Sequence, residues 1–213
     1  METVSRTIRV ILCDDHDLFA QTLAFTLSAE SDIDVIATAR SVESAIDLFT
    51  DDYDVAIVDI RLGDDNGLSL VEWISTNRPA CRTIVLTAFD SDDSFVGSHE
   101  GGASAYLIKS TSCDHLISVI RDVADGRSFI SDVNVAPARA RLSRRQSRRL
   151  ENLSESDQRL VSLIAQGLPD RQIAAEMHLS LQTIRNRVSR LLHTFEIANR
   201  TQLALIFNQE SDA

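Results

Sequence analysis

Over roughly the first 125 residues, short apolar runs alternate with amphipathic stretches. The runs fall at 8–13, 35–39, 55–58, 83–87 and 105–108 and are rich in Val and Ile. That length and composition predict strands buried on both faces of a parallel sheet. Helical spacing marks the segments between them. Leu18, Thr22 and Phe25, with Phe19, Leu23 and Leu27, predict one helix. Val42, Ala45, Ile46 and Phe49 predict a second, Leu68, Val71 and Ile74 a third, and Leu116, Ile117, Ile120 and Val123 another. The stretch 91–100 offers only Phe95 and Val96, so the helix expected there is short or mobile. Five strands with intervening helices predict a doubly wound α/β domain around a five-stranded parallel sheet.

The alternation breaks at Ala136-Pro137. Arg139, Arg141, Arg144, Arg145, Arg148 and Arg149 then follow with almost no apolar residue between them. Residues 129–152 therefore read as an Arg-rich, partly helical linker. Helical patterns at 154–166, 170–177, 181–195 and 200–208 predict a small all-α domain over 153–209.

Charge sharpens this division. The whole chain carries a net charge of −11, which by itself argues against a nucleic-acid partner. Residues 1–136, however, hold 9 basic and 24 acidic side chains, net −15, while residues 137–213 hold 12 and 8, net +4. Only the C-terminal part can approach phosphates without strong repulsion. No apolar run reaches the roughly 18 residues of a membrane span, and residues 1–9 are too polar for a signal peptide; a cytoplasmic protein is expected, with no membrane partner. Cys13, Cys81 and Cys113 are odd in number and far apart, so reduced, mostly buried thiols are expected rather than disulfides or a zinc site.

In parallel α/β sheets, ligands bind beyond the carboxyl ends of the strands. Asp14 and Asp15 follow the first predicted strand and Asp59 the third; Thr87 ends the fourth, and Lys109 follows the fifth. A lone Asp after a strand is often only a helix cap, but five polar groups converging on one crevice make a site. Three carboxylates so close call for a cation, and an all-oxygen set suits Mg²⁺. Lys109 is the chain's only lysine, a compact ammonium placed where a phosphoryl group could be held. The acidic runs at 51–54, 64–65 and 90–93 read as solvated loops. His16, His99, His115, His178 and His193 lack metal-ligand spacing and read as structural or exposed.

The segments VILCDD (10–15), VAIVDIRLGDDNGL (55–68), TIVLTAFD (83–90) and GGASAYLIKS (101–110) resemble the receiver domains of two-component response regulators, over residues 6–128. The resemblance implies a flavodoxin-like, CheY-like sheet with Asp59 as phosphoacceptor. It further implies Mg²⁺ on Asp14, Asp15, Asp59 and the Arg61 backbone carbonyl, Lys109 on the phosphoryl group, and Thr87 and Tyr106 as switch residues. Ser110 departs from the family's usual proline after the lysine and leaves the geometry of the Lys109–Ser110 bond open.

In the C-terminal part, Leu160, Val161, Leu163 and Ile164 mark the inner side of the first helix, which Gly167 ends. Asp170 is expected to cap the next, whose Ile173, Ala174 and Met177 face inward. His178, Leu179 and Ser180 form a tight turn, Ser180 being the next N-cap. The helix over 181–195 buries Ile184, Val188, Leu191 and Leu192 and offers a basic, amide-bearing face suited to the major groove. The text LSESDQRLVSLIAQGLPDRQIAAEMHLSLQTIRNRVSRLLHTFEIANRTQLAL resembles the LuxR-type helix-turn-helix of the NarL/FixJ subfamily, with Asp157 and Arg187 as departures. By that resemblance Thr183, Arg185, Asn186, Arg187, Ser189 and Arg190 contact DNA, and 200–208 is a dimerisation helix. The linker arginines fit either a solvated connector or auxiliary phosphate contacts.

Together these resemblances imply a transcription regulator, not an enzyme. A sensor histidine kinase would phosphorylate it on Asp59, and the active form would be a homodimer on paired DNA half-sites. Asp15-His16-Asp17 superficially suggests an aspartyl-phosphate phosphatase, but Phe19 and the lack of a cap domain oppose that. A regulator switched by a ligand or protein, without phosphorylation, is the other alternative. Ala88, Arg61 and Phe89 flank the expected water path without a water-orienting amide, so slow self-dephosphorylation is expected.

Overall fold

A computed structural model describes residues 6–50, 52–195, 197 and 199–211, the last three as backbone only. Asp51 of the acidic run and the first five N-terminal residues lie outside the described residues. The chain divides into two compact units, Met1–Arg139 and Ala140–Ala213.

The first unit is built on strands β1 (Ile8–Cys13), β2 (Ile33–Ala39), β3 (Val55–Val58), β4 (Arg82–Thr87) and β5 (Ala105–Ile108). They form one parallel sheet in the order β2-β1-β3-β4-β5. Register brings the carboxyl ends level: Cys13 pairs with Val58, Val58 with Val85, and Thr87 with Ile108. The strand order reverses between β1 and β3, the place where open α/β sheets leave a crevice.

Helices α1 (Asp17–Leu27), α2 (Val42–Leu48), α3 (Gly67–Asn77), α4 (Asp92–Glu100) and α5 (Cys113–Ala124) link and cover the strands. On one face, Val10, Leu12, Val55, Ile57, Ile84 and Leu86 of the sheet join Leu23 and Leu27 of α1 and Leu116, Ile117, Ile120 and Val123 of α5 in one core. Alternate strand residues such as Ile11, Ala56 and Val85 are equally buried on the other face, as sheets covered on both sides require. Helix α1 carries two apolar stripes. Leu23 and Leu27 face the core, whereas Leu18 is 79% and Phe25 82% exposed. Ser91 caps the short α4 by accepting the Ser94 N–H at 3.1 Å.

The strand–helix alternation ends before Ala136-Pro137, but the chain stays helical through that point. Helix α6 runs Asp132–Glu151 with Pro137 inside it. Proline in an early turn forfeits a single N–H bond, which a long helix can absorb near its start. The division between the two units falls within this helix, after Arg139.

The second unit comprises the remainder of α6 with α7 (Glu155–Ala165), α8 (Asp170–Glu176), α9 (Leu181–Phe195) and α10 (Arg200–Ser211). Leu150, Leu160, Val161, Ile164, Ile173, Ile184, Leu191, Phe195, Leu203 and Ile206 form its core, and Val188 and Leu192 pack at its edge, only partly buried. Ser154 and Ser180 cap α7 and α9 by accepting N–H bonds from Asp157 and Thr183. Gly167 takes the left-handed conformation, φ 81°, beyond α7. Pro169, not Asp170, is the N-cap of α8; Asp170 is its first helical residue and accepts from Arg200 Nη1 at 2.7 Å, tying α10 to this corner. Between α8 and α9, His178 adopts φ 54°, uncommon for a residue with a side chain. That conformation lets the Leu179 N–H reach the Ala174 carbonyl at 2.9 Å, closing the turn. Among the described residues no helix is long and apolar enough to cross a membrane.

Candidate functional site

The level strand ends bring Asp14, Asp59, Thr87 and Lys109 together. Asp14, Asp59 and Thr87 are each only 4% exposed. Lys109 Nζ lies 2.6 Å from Asp14 Oδ2 and 2.7 Å from Asp59 Oδ2, bridging the two carboxylates. Burial works against its charge, but the hydrogen bonds to Asp14 and Asp59 and their Coulomb attraction outweigh it and hold the ammonium above its ordinary pKa. The same Nζ sits 4.5 Å from the centroid of the Phe19 ring, a cation–π contact.

Each carboxylate is also steadied by backbone. His16 N–H donates to Asp14 Oδ1 at 2.9 Å, and Arg61 N–H to Asp59 Oδ1 at 3.3 Å. Gly67, opening α3, donates its N–H to the Ile60 carbonyl at 2.7 Å. A Cβ at Gly67 would stand 1.9 Å from the Asp59 carbonyl oxygen, so only glycine lets α3 pass this close beneath the acidic residue.

Ligand atoms of Asp14, Asp15, His16 and Asp59 lie within 4.8 Å of one another. Asp15 Oδ1 is buried and accepts no hydrogen bond; His16 Nδ1 is 2.9 Å away, but outside hydrogen-bonding geometry. One ammonium facing three carboxylates, one with an orphaned oxygen, leaves the pocket short of positive charge. Those oxygens fit a hard divalent cation such as Mg²⁺. His16, set aside with the other histidines, belongs beside this group; its adjacency to Asp14 and Asp15 is the signal that could have found it.

Thr87 Oγ1 accepts the Phe89 N–H at 3.3 Å and lies 3.4 Å from the Phe89 carbonyl. Tyr106 is half-buried, its hydroxyl donating to the Phe89 carbonyl and accepting the Ser91 N–H, both at 3.4 Å. Burial raises its phenol pKa above the usual value, with a smaller opposing contribution from the Ser91 N–H. The two expected switch side chains thus hold the same β4–α4 loop. The Lys109–Ser110 bond is trans. Arg61 lays its guanidinium 5.1 Å from the centroid of the Phe89 ring.

The cysteines divide. Cys13 and Cys81 are buried, while Cys113, opening α5, is exposed. Burial pushes the Cys13 thiol well above its normal range and the Cys81 thiol up to about 12. Within the acidic run at 51–54, Asp54 is not a solvated loop residue: it accepts the Arg9 N–H at 2.8 Å and pairs with Arg6.

On α9, Arg185, Asn186, Ser189 and Arg190 are exposed, whereas Thr183 and Arg187 are partly buried. Thr183 Oγ1 lies 2.8 Å from the capping Ser180 hydroxyl, and Asn186 accepts from Gln182 Nε2 at 2.9 Å. Arg187 Nη1 donates to Ser156 at 2.6 Å and lies 3.6 Å from Asp157; Arg190 Nη2 lies 3.1 Å from Asp157. Two of the expected DNA contacts are thus held by α7.

Comparison with known proteins agrees with both halves. The family described as Response regulator receiver domain matches residues 10–121, and that described as Bacterial regulatory proteins, luxR family, matches residues 151–207. The chain is 33% identical over 201 residues to the DNA-binding transcriptional activator DevR/DosR of Mycobacterium tuberculosis, covering 93% of each protein. It is 27% identical to the response regulator protein VraR of Staphylococcus saprophyticus, covering 93% of this chain and 95% of that one. The response regulator ChrA of a heme-sensing two-component system aligns with a TM-score of 0.52 at 26% identity, over 96% of this chain and 98% of the other. RcsB of Salmonella typhimurium aligns with a TM-score of 0.56 at 20% identity, over 98% and 100% of the two chains, and shows the shared fold. With a receiver profile over the acidic pocket and a LuxR-type profile over α7–α10, the chain belongs to the two-component response regulators of the NarL/FixJ type.

Proposed function

We propose that this protein is a transcription regulator whose DNA binding is controlled by phosphorylation of Asp59. The observation that carries the reading is Lys109 bridging Asp14 and Asp59 at 2.6 and 2.7 Å, both carboxylates being almost fully buried. The receiver is taken as residues 6–128, the linker as 129–152 and the DNA-binding domain as 153–209. A sensor histidine kinase supplies the phosphoryl group: the N–P bond of its phosphohistidine breaks and an Oδ–P bond to Asp59 forms, leaving the imidazole neutral. Asp14, Asp15, Asp59 and the Arg61 carbonyl would hold Mg²⁺, which supplies charge neutralisation for the phosphoryl oxygens. Lys109 leaves Asp59 to meet the new oxygens. The acyl phosphate, close to −2 in charge, draws the Thr87 hydroxyl away from Phe89, and Tyr106 moves into the space vacated. Both residues hold the β4–α4 loop, so the surface around α4 and β5 changes with them.

In the active form two copies pair, and Thr183, Arg185, Asn186, Arg187, Ser189 and Arg190 of each approach a half-site. DevR/DosR is described as DNA-binding, which supports the same activity here. Helix α10 buries Leu203 and Ile206 in its own core and leaves Leu205 exposed for a partner copy. Arg61 and Phe89, in cation–π contact at 5.1 Å, offer no water-orienting amide, which supports a long-lived phosphoryl group; hydrolysis within seconds would contradict it.

The deciding experiment treats wild type and Asp59→Asn with acetyl phosphate and Mg²⁺, reading intact mass and duplex affinity. Wild type should gain one phosphoryl mass and bind DNA more tightly, and Asp59→Asn should do neither. A mass gain retained by Asp59→Asn, or absent from wild type, ends this reading.

A further inference from the structure

We propose that His16 supplies a nitrogen ligand to the acidic pocket, so that the pocket takes a borderline transition-metal dication of the Co²⁺ or Zn²⁺ class in preference to Mg²⁺. The proposal rests on the cation site in the reading above and names the residue that sets its metal preference.

His16 is the N-cap residue of α1, yet its side chain makes no capping hydrogen bond. Its backbone does the local work: the His16 N–H donates to Asp14 Oδ1 at 2.9 Å, which anchors the residue beside the pocket. The imidazole is left to face the carboxylates. Its Nδ1 stands 2.9 Å from Asp15 Oδ1 and 3.5 Å from Asp14 Oδ1. Two ligands each about 2.1 Å from one ion stand roughly 3.0 Å apart at adjacent corners of an octahedron and roughly 3.4 Å apart in a tetrahedron. Both separations from Nδ1 fall on such edges. Ligand atoms of Asp14, Asp15, His16 and Asp59 together lie within 4.8 Å of one another, near the span of roughly 4.2 Å across a single ion of that size.

Donor chemistry decides which ion. Mg²⁺ favours oxygen and gains little from an imidazole, whereas Co²⁺, Ni²⁺ and Zn²⁺ bind the neutral ring nitrogen well. Lys109 occupies the Oδ2 atoms of Asp14 and Asp59, which leaves their Oδ1 atoms for the cation. The rival arrangement is a charged imidazole paired with Asp15. It would donate its Nδ1–H along the 2.9 Å contact, but Asp15 Oδ1 is buried and accepts no hydrogen bond. Two polar atoms this close and not bonded to each other suit a third partner between them. The ring itself is 68% exposed, so an ion can reach it from solvent.

The test uses the untagged, unphosphorylated full chain and His16→Ala, which keeps the backbone N–H to Asp14 and forfeits no capping bond. The probes are Co²⁺ and Mg²⁺ alone, titrated by calorimetry, with proton NMR of the Co²⁺ form. Wild type should bind Co²⁺ more tightly than Mg²⁺, and at least about tenfold more tightly than His16→Ala does, while the Mg²⁺ affinities of the two proteins agree within about threefold. A large excess of Mg²⁺ should displace the Co²⁺. One hyperfine-shifted, exchangeable imidazole proton should be present in wild type and missing from the variant. Equal Co²⁺ affinity in the two proteins, or Co²⁺ that Mg²⁺ does not displace, overturns the ligand role of His16 and leaves the Mg²⁺ site standing. A parallel loss of both metals overturns it too, since the imidazole would then only steady the loop. If wild type binds neither metal, the cation reading itself falls.

Discussion

In the receiver unit the carboxylates of Asp14 and Asp59 are withdrawn from water and share one ammonium, Lys109. In the second unit Arg187 and Arg190 share one carboxylate, Asp157, close to the surface. Both triads are under-neutralised, and in opposite senses. The first lacks positive charge and suits a divalent cation; the second lacks negative charge and suits a phosphate. What differs is the surrounding dielectric. Around Asp59 an uncompensated charge is costly, so its partners are fixed by strand ends and backbone N–H groups. Around α9 water screens the imbalance more, and the same side chains can exchange Asp157 for another anion at less cost.

Substitutions can break this contrast or refine it. The largest effect is expected from Gly67→Ala, which forces a Cβ onto the Asp59 carbonyl and should cost about 3 kcal/mol, read as a lower urea midpoint; a neutral result would mean that α3 can retreat without disturbing the pocket. Lys109→Met removes the shared ammonium and should cost about 2 kcal/mol in Mg²⁺-free buffer. Added Mg²⁺ should recover most of that stability, and a variant indifferent to Mg²⁺ would count against the cation site. In the second unit, Asp157→Asn should release Arg187 and Arg190 and tighten duplex binding severalfold, roughly 1 kcal/mol, with a steeper salt dependence. Weaker binding would show instead that Asp157 positions those arginines.

The smallest effect concerns Asp32. Hydrogen bonds from Arg121, at 2.8 and 2.7 Å, hold its carboxyl below the ordinary range. A depressed folded-state pKa contributes stability above the unfolded value, near 4, and loses it as pH falls through the lower folded value. Asp32→Asn should therefore cost under about 1 kcal/mol at pH 7. In urea titrations the difference from wild type should close in strong acid; a difference that persists there would point to packing rather than charge.

Much of the receiver was legible because strand periodicity and topology leave few choices. Once 8–13, 55–58, 83–87 and 105–108 are parallel neighbours, Asp14, Asp59, Thr87 and Lys109 must meet at one end. The contribution of Phe19 was not legible, since a residue marking a helix gives no hint that it will lie under an ammonium. Nor was the choice between the two apolar stripes of α1, because periodicity specifies a face without saying which face meets the sheet. The length of α6 was not legible for a related reason: composition at Pro137 gives no sign that a helix runs through it, although the early position in α6 makes its missing N–H tolerable. On α9 the exposed positions followed the pattern, whereas the hold of Asp157 and Ser156 on Arg187 depends on how α7 packs, which no local spacing records.

One practical consequence follows from Lys109 being the sole lysine. Its side chain is 14% exposed and fully engaged, so amine-directed acylation of the folded protein should modify the N-terminus and largely spare everything else. A second acyl group would appear only when the strand ends part. A reagent that reacts with ordinary proteins at dozens of places would here act as a single-site gauge of how often the pocket opens.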